Sequence, residues 1–168
     1  FSTGADEVMC QPLTAGQLVY VFVDDTSASS TSNFRLEITP CVRETEPNDA
    51  PASANALACP SEGSINPGSD VDFFSFAQTK AGDRLFALAD GFAANSGDFD
   101  MRITTTGDTI EFDDLNADSI FGTTSPAIAG AKAIGTSTFV RMNHHTGSAS
   151  EPYRLYTVQE PSGDQAVT

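Results

Sequence analysis

The sequence predicts an all-β fold, a jelly-roll-like antiparallel β-sandwich, and three observations carry that expectation. Apolar and polar residues alternate with a period of two in run after run, as half-buried strands require. Turn clusters rich in Gly, Ser, Asn and Asp separate the runs, among them Asn95-Ser96-Gly97-Asp98 and Thr106-Gly107-Asp108. Only Ala50 to Leu57 reads as a helical turn. With 168 residues and a hydrophobic fraction of 39%, the chain has room for one good-sized domain with a real core, or for one domain and a fragment of another.

Taken in order, the expected strands are Leu18 to Val23, Asn33 to Thr39, Val71 to Ala77, Arg84 to Ala89, Phe99 to Thr105, Thr109 to Phe112, Thr138 to Asn143 and Tyr153 to Gln159. Many short strands at this spacing indicate a sandwich or barrel. An internal repeat organises them. One shift of register sets Gly16 to Asp24 on Gly135 to Asn143 and, without a gap, Asn33 to Leu36 on Pro152 to Leu155. Two strands and their joining loop are thus duplicated. Residues 1–40 read as the closing strands of a preceding unit, 41–160 as a complete unit and 161–168 as a polar tail or linker. Two strands alone are marginal in water, so the first portion needs a partner: missing strands of its own, the second unit or a neighbouring chain. The start at Phe1 reads as a processed or excised piece.

The formal charge of −15, from 23 acidic and 8 basic residues, argues against nucleic acid and anionic membrane as partners. No apolar run is long enough to span a membrane. Five of the 23 acidic residues stand in Glu44-Thr45-Glu46-Pro47-Asn48-Asp49 and, about twenty residues on, Asp70-Val71-Asp72. Five carboxylates and a carboxamide are a hard-oxygen ligand set, suited to Ca2+ rather than to zinc or copper. Pro47 disfavours helix at Glu46, while Asn48 and Asp49 suit a turn with inward oxygens. The competing account is a solvated acidic surface.

Cys41 and Cys59 bracket the acidic run. As a disulfide they would close a loop of about nineteen residues, worth about 3 kcal/mol, and would place the protein outside the cytoplasm. Cys10 is left over, and three buried thiols are the alternative.

Several residues together resemble a bacterial pre-peptidase C-terminal domain. They are Glu46-Pro47-Asn48-Asp49, Gly63-Ser64-Ile65, Asp70-Val71-Asp72-Phe73-Phe74-Ser75-Phe76, Ala81-Gly82-Asp83-Arg84-Leu85, Gly97-Asp98-Phe99-Asp100-Met101-Arg102-Ile103, the pair Asp113-Asp114, and the closing Pro152-Tyr153-Arg154-Leu155. The resemblance covers about Glu44 to Val158, and residues 1–39 resemble the tail of a preceding copy. It implies a non-catalytic sandwich of secreted bacterial proteins, often beside peptidase domains. It also implies calcium ligands at Glu44, Glu46, Asn48, Asp49, Asp70 and Asp72, as in collagenase-type relatives, where the metal ties the linker to the sheet.

Other clusters are weaker. Asp113, Asp114, Asn116 and Asp118 lack the glycine and terminal Glu of an EF-hand loop and read as solvated. His144 and His145 are adjacent in sequence, point to opposite faces and have no third ligand. Asp98 and Asp100 read as acids that keep an edge strand soluble rather than as a glycosidase pair. No GxSxG, HExxH or other catalytic constellation can be assembled. The expected function is therefore a calcium-stabilised, non-enzymatic extracellular repeat, a structural or adhesive unit of a surface protein or filament whose partners are neighbouring copies of itself. The alternative is an accessory module that grips an extracellular polymer for a secreted hydrolase.

Overall fold

Alternation in the sequence becomes two faces in space. Along Arg84–Gly91 the odd-numbered Leu85, Ala87 and Ala89 are buried, and along Phe99–Thr104 so are Phe99, Met101 and Ile103. The computed structural model describes residues 15–22, 36, 41–58, 60–91, 98–113, 126–145 and 151–163. The chain divides into two units, Phe1–Thr39 and Pro40–Thr168. In the first unit the described part of the expected Leu18 strand, residues 18–22, carries no strand ladder, and Leu18, Tyr20 and Phe22 are exposed. An alternating segment gains its ladder only when a neighbour supplies the hydrogen bonds. The expected strand Asn33 to Thr39 lies outside the described residues apart from Leu36.

Among its described residues the second unit holds ten strands: β1 (Val42–Arg43), β2 (Asn55–Ala56), β3 (Ser61–Ile65), β4 (Val71–Ser75), β5 (Arg84–Gly91), β6 (Phe99–Thr104), β7 (Thr109–Asp113), β8 (Ala127–Lys132), β9 (Phe139–His144) and β10 (Glu151–Glu160). They form two five-stranded sheets, ordered β1-β3-β10-β5-β8 and β2-β4-β9-β6-β7. The all-β class holds, with one refinement. β1 pairs with β3, and β2 with β4, in parallel, so the sheets are mixed rather than wholly antiparallel. Both parallel pairs involve the acidic linker's flanks, which run beside a strand they do not turn back from. The expected helical turn shrinks to a 3-10 turn at Pro51–Ser53, after which β2 begins. β6 is not an edge strand either, since β9 and β7 flank it. Asp100 therefore sits mid-sheet, where it accepts from Asn143 Nδ2 (3.1 Å) and contacts His145 Nδ1 (3.0 Å).

The core lies between the sheets and includes Ile65, Phe74, Leu85, Phe99, Met101, Ile103, Ile128, Val140, Met142, Tyr153 and Leu155. Each large apolar side chain withdrawn from water contributes about 1.5–3 kcal/mol. Tyr153, on the central strand β10, packs edge-on against Phe74 (6.3 Å) and Phe99 (5.5 Å) of the opposite sheet. Its ring is fully buried, which fixes where its hydroxyl ends. At another turn, Asp83 accepts hydrogen bonds from Lys80 N (2.9 Å), Ser162 N (2.8 Å) and Gln159 Nε2 (2.9 Å). That contact anchors the start of the expected 161–168 tail.

Candidate metal centre

The linker crosses from one sheet to the other. Glu44 N–H donates to Glu62 O beside β3 (2.8 Å), and Phe73 N–H of β4 donates to Asn48 O (3.0 Å). Asn55 closes the loop from within, accepting from Thr45 N–H (3.0 Å) and donating to Thr45 O (3.1 Å). These backbone ties bring the acidic run against the start of β4. Asp72 occupies an inward position of that strand and is fully buried. There its Oδ2 accepts from Tyr153 O–H at 2.5 Å, so the carboxyl links the two sheets through the core.

All six expected ligand residues are described, and the five carboxylates among them lie in two overlapping groups. Carboxylate oxygens of Glu44, Glu46 and Asp72 lie within 4.8 Å of one another, and so do those of Glu46, Asp49 and Asp70. Twice a Ca–O bond of roughly 2.4 Å is about that distance. The sequence suggested one site, whereas the geometry gives two groups that share Glu46. Asp70 is preset by the turn before β4, accepting from Asn66 N–H (3.0 Å) and Val71 N–H (2.9 Å). Glu44 Oε1 accepts from Ser64 N–H (2.6 Å).

Asn48 is fully buried at the centre. One orientation of its carboxamide donates from Nδ2 to Asp72 Oδ1 and Glu46 Oε2, both 3.2 Å, and accepts from Asn55 Nδ2 at 2.9 Å. The other turns Oδ1 toward the same carboxylates and leaves Nδ2 facing the Asn55 donor, with a long 3.4 Å contact to Glu44 Oε2. Oxygen facing oxygen is repulsive unless a cation lies between. A metal would thus hold Asn48 in the second orientation, whereas without one its N–H groups donate to the carboxylates in the first.

The electrostatics agree with the geometry. Burial raises the Asp72 carboxyl to about 9, and the nearby Glu44 and Asp70 add to the rise against the Tyr153 hydrogen bond. Burial likewise lifts Glu44 to about 6, with Glu46 contributing. Burial first, then Asp72, pushes the Tyr153 phenol up. Among the described residues no Lys, Arg or His pairs with any of these five carboxylates, although Glu62 close by takes both Arg43 (3.4 Å) and Arg154 (3.2 Å). Gly63 keeps the space open. A methyl group there would lie 2.6 Å from Glu44 Oε2 and closer still to the Tyr153 ring.

Sequence reasoning did not single out Tyr153, Asn55 or Ser64 as partners of the cluster. Tyr153 had a detectable signal, an inward strand position whose long side chain ends in a donor that must be satisfied when buried. Asn55 and Ser64 had none. The register Val42↔Ser61 sets Cys41 beside Pro60, next in sequence to Cys59. Cys59 and Cys10 lie outside the described residues, and so do Asp114, Asn116 and Asp118 of the second acidic group. The two histidines part as expected. His144 stacks on Phe99 (5.3 Å) while His145 meets Asp100.

No family model and no curated protein matches the chain. Among solved structures it is similar to the pre-peptidase C-terminal domain of collagenase from Bacillus anthracis. The identity is 12%, with 75% of this chain and 100% of that chain covered, at a TM-score of 0.45. This is the family that the linker and β4 motifs resemble.

Proposed function

We propose that residues 41–160 form a non-catalytic β-sandwich module, stiffened by calcium, that serves outside the cell as a structural or adhesive repeat. One observation carries the reading. Among the described residues, five carboxylates and the buried Asn48 gather where the linker is bonded to β3 and β4, with no cationic side chain paired to them. Burying unpaired carboxylates costs free energy that protonation or a cation must offset, and at neutral pH in calcium-rich medium the cation prevails. The donor set fits Ca2+, being all oxygen and mostly carboxylate. Glu44, Glu46, Asn48 and Asp72 would hold one ion, and Glu46, Asp49 and Asp70 a second beside it. When bound, calcium neutralises the cluster and locks the linker to β3 and β4. The duplicated strand pair, whose second copy is β9 and β10, supports neighbouring copies as partners.

Thermal unfolding in calcium and in EDTA, followed by sedimentation in calcium, tests this. Extracellular modules bind calcium at about 10⁻⁴ to 10⁻³ M, and at one hundred times Kd the folded state gains about 2.7 kcal/mol. The expected result is a melting temperature several degrees higher in calcium, with association beyond the monomer. Identical melting in both media removes the metal, and a strict monomer at high concentration removes the self-association.

A further inference from the structure

β6 and β9 run side by side in the second sheet, and their register sets Arg102 directly opposite Arg141. The row extends to Phe73 on β4, opposite Arg141, and to Phe112 on β7, opposite Arg102. Neighbouring positions Met101, Ile103, Val140 and Met142 fill the core, so Phe73, Arg141, Arg102 and Phe112 stand in line on the outer face. Like charges directly opposed across a strand pair destabilise the sheet. Here they use two of only eight basic residues in a chain with 23 acidic ones.

Neither guanidinium is neutralised by a salt bridge among the described residues. Arg102 Nε is buried without a hydrogen-bond partner, and the guanidinium carbon lies 4.6 Å from the Phe112 ring centre. Arg141 has only the field of Asp100 in its favour, against burial and Arg102. Beside the pair, the β6–β7 turn walls a depression of 260 Å³ that Phe73 and Thr104 through Thr109 line. Thr104 Oγ1 is also buried without a partner.

Each of these features specifies a property of a ligand that would fit. Two adjacent guanidinium groups offer paired N–H donors that suit a carboxylate. An aromatic flank suits the C–H face of a ring. The lining threonines and Asp108 suit hydroxyl groups, and the Asp108 charge disfavours a second negative charge on the ligand. The volume lies below the roughly 300–1,000 Å³ of sites for drug-sized ligands, so one ring fits. A net charge of −15 disfavours a polyanionic strand. The geometry points to Arg102 and Arg141 as the binding site for a sugar residue that bears a single carboxylate, carried on an otherwise neutral glycan.

An NMR titration with methyl β-D-glucuronide tests the site, with methyl β-D-glucoside as the neutral counterpart and N-acetylglycine as a carboxylate without a sugar. The glucuronide should shift the Arg102 and Arg141 Nε–H signals and the Thr106 and Gly107 amides saturably, while the glucoside binds at least tenfold more weakly. Arg141→Gln and Arg102→Gln should each weaken binding at least tenfold, with melting unchanged or raised because the like-charge opposition is relieved. Should one variant not fold, the other and a several-fold loss of wild-type binding at high salt carry the test. Glucoside binding as tight as glucuronide binding, or the absence of saturable shifts, overturns the site. Equal binding of N-acetylglycine overturns the sugar and makes the pair a receptor for peptide carboxyl termini.

Discussion

Asp72 and Asp83 are almost equally sealed from water, at 0% and 2% exposure, yet their carboxyls are driven in opposite directions. Asp83 faces the Ser162 and Lys80 backbone N–H groups and the Gln159 amide, and these hydrogen bonds hold it below the usual carboxylate range. Burial first, and then Glu44 and Asp70, raise Asp72 to about 9 against its one Tyr153 hydrogen bond. Company decides whether burial is offset, as three donors offset it at Asp83 and one hydroxyl does not at Asp72. Asp83 has its counterparts supplied by the chain and is finished as structure. Asp72 has most of its counterparts missing, and a cation from outside would complete it.

The sharpest way to break this contrast is Asp72→Asn. In saturating calcium the variant should lose the increment of the ion that Asp72 would hold, about 2.7 kcal/mol, and the difference in melting between calcium and EDTA should shrink accordingly. The same pair separates by pH. Because the folded Asp72 value lies above its unfolded one, its contribution is fully present below about pH 4 and is lost as pH rises toward 9. Metal-free wild type should therefore melt at falling temperature from pH 5 to 9, Asp72→Asn should flatten that slope, and calcium should reverse the loss. Next in size, Gly63→Ala should cost about 2 kcal/mol by overpacking, with calcium dependence reduced because Glu44 and Tyr153 are displaced together. Smaller again, Asp83→Asn should lower stability equally in calcium and EDTA. Its wild-type contribution has the opposite sign with pH, present above the ordinary carboxylate value and lost as pH falls through the lowered folded one. Urea unfolding at fixed pH reads the two variants side by side.

The strands visible in the sequence were those whose inward positions are large. β4, β5, β6, β7, β9 and β10 each fall within two residues of their expected bounds, because Phe, Leu, Met, Ile and Val alternate with polar residues there. β3 went unseen since its inward residues include Ser61 and Gly63, and β8 because Ala127, Ala129, Gly130 and Ala131 leave Ile128 as its one large apolar residue. β1 and β2 are two-residue pairings with no pattern to detect. The acidic cluster was legible because ligand chemistry resides in residue type. Its sharing of Glu46 and its tie to Tyr153 were not, since both depend on how β10 stacks over β4. The Arg102–Arg141 row was equally hidden. Each arginine looks like an ordinary outward residue until the β6–β9 register puts them together.

The linker's backbone is bonded to the first sheet at Glu44 and to the second at Asn48. Tension entering the module from its amino-terminal side is therefore divided between both layers at once, instead of unzipping one border hydrogen bond by hydrogen bond. Such a joint resists in shear, and it gives way only when the two layers are pulled past each other.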